Sequence, residues 1–193
     1  SKNSHNRLLL GYDNDGWTQD RDGSSQIAQN SYAVYLKHEM VFKPSQTSLF
    51  IGARRTAFDR TGRGGVDGTV NEKNTSWETG LSQRLGQAHE LYLRLGKSFR
   101  LPNGDEFLCY PIYGTCPTVT VNMLQVQQSK DTEFGLKANS SQFAWDLRAY
   151  RHELKNEIAI GPDYFSNINL DPTRRQGVEV GGKVAVGSKL TVS

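Results

Sequence analysis

The sequence contains no long hydrophobic run. Candidates such as Leu8-Leu9-Leu10 are interrupted within a few residues, far short of the roughly 20 apolar residues that a membrane-crossing helix needs. Helical membrane architectures are therefore excluded. Apolar residues are scarce throughout: 36% of the 193 residues, with 19 glycines and a mean hydropathy of −0.61. One domain of this length could bury a sizeable core, yet this composition offers little to fill it. No charge sign dominates either. Lys and Arg total 23 against 20 Asp and Glu, finely interleaved, which argues against a nucleic-acid surface. The segment Ser1-Lys2-Asn3-Ser4-His5 lacks the apolar stretch of a signal peptide. Histidine is limited to His5, His38, His89 and His152, scattered and without a Gly-x-Ser-x-Gly elbow, so no enzyme is expected. Gly62-Arg63-Gly64-Gly65 lacks the Lys-Ser/Thr of a phosphate loop and reads as a flexible loop tip. The acidic run Asp13, Asp15, Asp20, Asp22 fails the calcium-loop spacing. No metal site and no cofactor are expected.

What is present is alternation with period two. Between His89 and Arg100, Leu91, Leu93 and Leu95 alternate with Glu90, Tyr92 and Arg94. Phe143, Trp145, Leu147 and Ala149 alternate with Asp146, Arg148, Tyr150 and His152. Tyr32, Val34, Leu36, Met40 and Phe42 form a third such row, broken by His38, and Leu49, Ile51 and Ala53 a fourth. Nine strands are predicted, at about 7–19, 31–43, 47–59, 76–85, 89–100, 129–138, 142–159, 174–185 and 189–193. The predicted links alternate between short (43–46, 86–88, 139–141, 186–188) and long (20–30, 60–75, 101–128, 160–173). In an up-and-down barrel every second link lies on the same side of the membrane, and outer-membrane barrels keep tight turns inside and long loops outside. A barrel with a wet lumen needs only one oily face per strand, which suits the low hydropathy. The expected fold class is all-β: an antiparallel up-and-down transmembrane β-barrel, present as a partial set of about nine strands. A soluble or cell-surface β-domain that binds carbohydrate or protein through its loops is the alternative, and its oily faces would be covered by a second protein layer.

Several segments, taken in order, resemble the TonB-dependent outer-membrane receptors. Ser98-Phe99-Arg100-Leu101-Pro102-Asn103 with Asp105-Glu106 resembles a strand end of that family, and Ser129 to Lys137 the strand after its next loop. Tyr150 to Ile158, Phe165-Ser166-Asn167 and Arg174 to Glu179 resemble later landmarks, and Tyr35 to Phe42 with Leu49 to Arg54 a mid-barrel hairpin. The resemblance implies that residues 1–193 are part of a C-terminal barrel domain whose plug, first strands and closing strand lie elsewhere. It further implies outer-membrane location, contact with outer-membrane lipid, and import of a scarce metal chelate driven by the TonB complex through the plug. A ferric siderophore is the expected cargo, with haem or cobalamin as variants.

Capture of bulky, often anionic chelates draws on basic and aromatic side chains of outer loops. The candidates are Arg60 and Arg63 in one loop, Tyr110 and Tyr113 in another, and Tyr164 and Phe165 in a third. Alternation places Arg94, Arg100, Glu133, Arg148 and Glu179 on the lumen side, either contacting plug and ligand or pairing across strands. Cys109 and Cys116 flank a turn-like Tyr/Pro segment; a loop disulfide fits an oxidising compartment, and two reduced thiols are the alternative.

Overall fold

The structure is a computed structural model that describes residues 3–21, 23–107, 119–140, 142–162, 164, 166–186 and 190–192. It contains β1 (Ser4–Arg21), β2 (Ser25–Phe42), β3 (Thr47–Arg63), β4 (Val66–Leu85), β5 (His89–Arg100), the short β6 (Val119–Thr120), β7 (Gln127–Asn139), β8 (Phe143–Lys155), the short β9 (Ile158–Ile160) and β10 (Asn167–Asn169), β11 (Thr173–Val186) and β12 (Leu190–Val192). The one helical element among the described residues is a 3-10 turn at Gly104–Phe107. Neighbouring strands pair in the order β1-β2-β3-β4-β5-β7-β8-β11-β12, antiparallel throughout. These nine are the expected strands. β6 adds in parallel to β4, and β9 and β10 form a separate hairpin.

The strict alternation of short and long links does not hold. Two of the four expected long loops are strand. β1 and β2 run to Arg21 and from Ser25, and β3 and β4 are joined only by Gly64 and Gly65. Both glycines have positive φ, 72° and 88°, a conformation glycine adopts at no steric cost in a tight turn, and Gly64 N–H donates to Asp67 Oδ1 at 3.1 Å. Gly62-Arg63-Gly64-Gly65 is thus a tight turn and not a flexible tip. The asymmetry between the two ends lies in strand length: β1 to β4, of 17 to 20 residues, exceed the ~9–11 that a tilted membrane strand requires.

Residues paired directly across a ladder project from the same face. Leu81, Leu93, Phe134, Ala149 and Val178 form one such row, and Gln83, Leu91, Leu136, Leu147 and Val180 the next. This face is oily and uncovered: Leu10 is 67% and Val180 78% exposed. A third row runs Leu10, Leu36, Ala53, Trp77, Lys97, Lys130, Glu153, Arg174. It starts in the oily part of β1 and ends in charge on β11, where the apolar residues centre on Val180, about six residues nearer the opposite end. With ~3.3 Å per residue and ~4.8 Å between strands, that drift over seven steps means a tilt of roughly 30° between strands and oily band. A flat apolar slab crossed by slanted strands produces this pattern, near the 35–45° tilt of outer-membrane barrels.

The buried core lies apart from this band. Beyond the oily stretch, the inward side of β1 to β4 forms a platform on which the β5–β7 connection folds back. Ile27 and Val66 of the platform pack with Phe107, Val121 and Leu124 of the connection, flanked by Trp17 and Ile158. Gly62 has to be glycine here, because a Cβ would collide with the Val66 carbonyl and the Val121 side chain.

Candidate functional site: the lumen face and the outer vestibule

The face opposite the leucines carries the charge. A cavity of about 630 Å³ is lined by residues from β2, β3, β4, β5, β7 and β8, among them Glu39, Phe50, Tyr92, Arg94, Glu133 and Arg148. One cavity reaching six strands of a single sheet lies on its concave side, so this face is the lumen. Arg94, Glu133, Arg148 and Glu179 all belong to it: Arg94 is registered with Glu133, and Arg148 with Glu179. Arg148 donates from Nε to Glu179 Oε2 at 2.8 Å and approaches Glu133 Oε2 at 3.9 Å. Lys137 pairs with Glu90 at 3.1 Å, and His152 Nδ1 lies 2.7 Å from Asp131 Oδ1. Half-solvated pairs of this kind contribute about 0–1 kcal/mol each. Their main effect is to leave a lining that is charged yet nearly neutral.

Four lumen aromatics share an arrangement that sequence reading missed. Tyr35, Phe50, Tyr92 and Tyr150 stand directly opposite Gly11, Gly80, Gly135 and Gly177. A Cβ at any of the four glycines would run into the ring. Each ring therefore lies along the sheet over its glycine, as in aromatic rescue of strand glycines, and projects little into the lumen. Cations approach three of the four rings: Arg54 lies 5.7 Å from the Tyr35 ring, Lys37 5.6 Å and Arg94 5.8 Å from Phe50, and Lys137 5.8 Å from Tyr92. The one available signal was Gly and aromatic residues both on polar-face positions, and it becomes meaningful only once register is known.

Arg60 corrects an expectation. It lies within β3 and not in a loop, because the strand extends to Arg63, and it is 1% exposed. Nε donates to Gln29 Oε1 at 2.9 Å, Nη2 to the same oxygen and to the Pro102 carbonyl at 2.6 Å, and the guanidinium lies 4.8 Å from the Phe107 ring. Burial pulls its pKa down to about 10, partly opposed by Glu106 and Glu72; it stays protonated at neutral pH. Arg60 is thus the pin that holds the folded-back connection to the platform. Arg100, on the same face of β5 as Arg94, ties the same connection from its other end. Its Nη1 donates to both Glu106 carboxylate oxygens at 2.9 and 3.0 Å, while Glu106 Oε2 accepts the Asn103 N–H at 2.7 Å. Asn167 Nδ2 donates to the Glu106 carbonyl at 3.0 Å, which joins the β9–β10 segment to this knot. Sequence reading quoted Glu106 only within a family-like segment and did not single out Gln29, since the hydrogen bond from Arg60 to Gln29 spans 31 residues and leaves no local pattern.

Of the other loop candidates, Arg63 is exposed at the end of β3, and Tyr164 is 83% exposed, with a φ of 61°. Tyr110, Tyr113, Phe165, Cys109 and Cys116 lie outside the described residues. Among the described residues no three His, Cys, Asp or Glu side chains converge on a point where a metal could sit. What the arrangement offers is a low-profile, charge-balanced wall with basic and aromatic groups at its outer rim.

Residues 3–192 match the family model described as TonB dependent receptor-like, beta-barrel. Among solved structures, the ferric citrate transporter FecA superposes with a TM-score of 0.68 at 12% identity, covering 94% of this chain and 29% of that one. The ferric-catecholate import receptor Fiu from E. coli K12 gives 0.63 at 16%, covering 86% and 27%, and the copper transporter OprC 0.63 at 13%, covering 95% and 35%. The chain thus spans about a quarter to a third of the length of the structures it matches. Fold, faces and family model agree, and the chain belongs to the TonB-dependent receptors, as a stretch of their β-barrel.

Proposed function

We propose that this chain forms part of the C-terminal barrel wall of an outer-membrane active-transport receptor that imports a scarce metal chelate. The cargo is of the ferric siderophore type, and energy comes from the TonB complex acting on a plug outside these residues. The observation that carries the reading is the division of one continuous sheet into an uncovered oily face and a charged, flat lumen wall. Hydrocarbon tolerates the first, and a plug or a passing hydrophilic ligand needs the second. The exposed oily face disfavours the soluble-domain alternative, in which Leu93 and Leu147 would be covered. Arg63 and Tyr164 at the outer rim are the described residues assigned to chelate capture, together with Tyr110, Tyr113 and Phe165. A similar fold in a copper transporter supports a metal-chelate cargo in general and leaves the siderophore assignment to experiment. The test is uptake of iron-55 supplied as citrate, catecholate or hydroxamate chelates by cells carrying the full-length receptor, with and without TonB. TonB-dependent uptake of one chelate is expected. Absence of receptor-dependent uptake of any of them would overturn the siderophore reading.

A further inference from the structure

The oily face does not end in neutral residues at every strand. Across β5, β7, β8 and β11 its outer border is basic. Lys97 and Lys130 stand directly opposite one another, two like charges where a ladder ordinarily avoids them. Neither makes an ion pair among the described residues. Next in the same row comes Glu153, the lone carboxylate, and then Arg174. Glu153 already accepts from Arg151 and lies 3.9 Å from Arg174 Nε. Lys97, Lys130, Lys155 and Arg174 line a groove of about 610 Å³ in which Glu153 is the one acidic side chain. The excess of positive charge there is unbalanced by protein.

Position gives the patch its meaning. Leu95 precedes Lys97 by one alternation on the same face and Phe134 lies two alternations from Lys130, while Trp77 is registered with Lys97. Apolar surface below and cations immediately above match the two halves of a lipid, acyl chain and headgroup. The long side chains can lay their methylenes on the oily band and raise their ammonium groups to the border. We infer that this groove binds the anionic, phosphate-bearing headgroup of a membrane lipid in the outer leaflet, whose chains lie along Leu95, Phe134 and the leucines beneath. A free soluble anion would have no use for the apolar floor. The inference rests on the membrane reading of the oily face and goes beyond it by naming a site.

The test uses the full-length receptor extracted from outer membranes in mild detergent, with co-purifying phosphorylated lipid quantified by mass spectrometry and phosphate analysis. Against the parent, K97Q/K130Q is expected to lose at least fivefold of the retained lipid. K97R/K130R keeps the charge and should retain it. R63Q/K73Q removes equal charge well beyond the oily band and should also retain it. Unchanged heat-modifiable gel mobility establishes that each variant is folded. Equal retention in K97Q/K130Q and parent would overturn the site, as would loss in K97R/K130R, or displacement of the lipid by millimolar inorganic phosphate alone. Quenching of Trp77 fluorescence by brominated phospholipid in reconstituted vesicles checks the membrane face independently. Quenching retained while lipid retention is indifferent to Lys97 and Lys130 sinks the headgroup site and leaves the barrel reading standing.

Discussion

A guanidinium that is 1% exposed depends on protein acceptors in place of water. At Arg60 the partners are an amide oxygen from Gln29 and a backbone carbonyl from Pro102, with an aromatic ring beneath. Arg60→Met keeps the length of the side chain and removes the donors, leaving both acceptors unpaired in a dry site, at a cost of about 1–3 kcal/mol. Because this pin holds a connection and not a strand, the loss should be local. Amides in 103–107 and 119–126 of the full-length receptor are expected to exchange at least tenfold faster, with β7 and β8 unchanged, whereas Arg63→Met should alter neither region. The flat aromatics allow a second prediction at this scale. Gly135→Ala forces the Tyr92 ring away from the sheet and should lower bilayer unfolding stability by about 1–3 kcal/mol, as overpacking does. Most of that loss should be recovered in the double variant with Tyr92→Ala, since the two residues share one volume. A purely additive result in chemical unfolding titrations would contradict the stacked arrangement.

Among the elements, those with a continuous oily face were legible and the outer extensions of β1 to β4, which lack one, were not. Leu91, Leu93 and Leu95 announce β5 because one face must be oily. The outer reaches of β1 to β4 carry no such demand. Segments such as Arg60–Arg63 and Thr69–Asn74 read as loop from their Gly, Thr and Asn content, and they are strand because backbone pairing continues across β3 and β4 and the β5–β7 connection packs upon them. The strands and their two faces followed from period two, whereas the barrel class also drew on link lengths, whose strict alternation fails, and on the family resemblance; Arg60's burial and the Gly-aromatic pairs required register, which period two leaves open. The β3–β4 hairpin offers a direct check. Gly65→Ala places a Cβ at positive φ in open space and should cost about 1 kcal/mol, and Gly64→Ala should cost more because its Cβ would also meet the Ser24 carbonyl, both read as faster exchange of amides 60–70. Gly52→Ala, whose added Cβ meets nothing nearer than 3.6 Å, should leave that region as it is.

For the whole molecule, the decisive quantity is what the oily face touches, because the same sheet could in principle be half of a water-soluble sandwich. The two environments respond differently to one charge. In a bilayer, a cation forced onto the lipid face costs about 2–4 kcal/mol near the midplane and about 0–1 near an interface. In a sandwich the cost would track the burial of each site with no regard to depth. Leu93 and Leu147 lie in the middle rows of the oily band, while Tyr12 lies near its outer limit on β1. Leu93→Arg and Leu147→Arg in the full-length receptor, refolded into phosphatidylcholine vesicles, are expected to lose about 2–4 kcal/mol, and Tyr12→Arg no more than about 1. The reverse exchange on the other face, Arg94→Leu, removes a cation that lies 5.8 Å from the Phe50 ring and should change stability by less than about 1 kcal/mol. Penalties graded by height along the strand follow from a hydrocarbon slab crossed by slanted strands. Penalties that were the same at Tyr12 and Leu147 would require a protein layer over this face, and the tilt deduced from the drifting apolar rows would lose its cause.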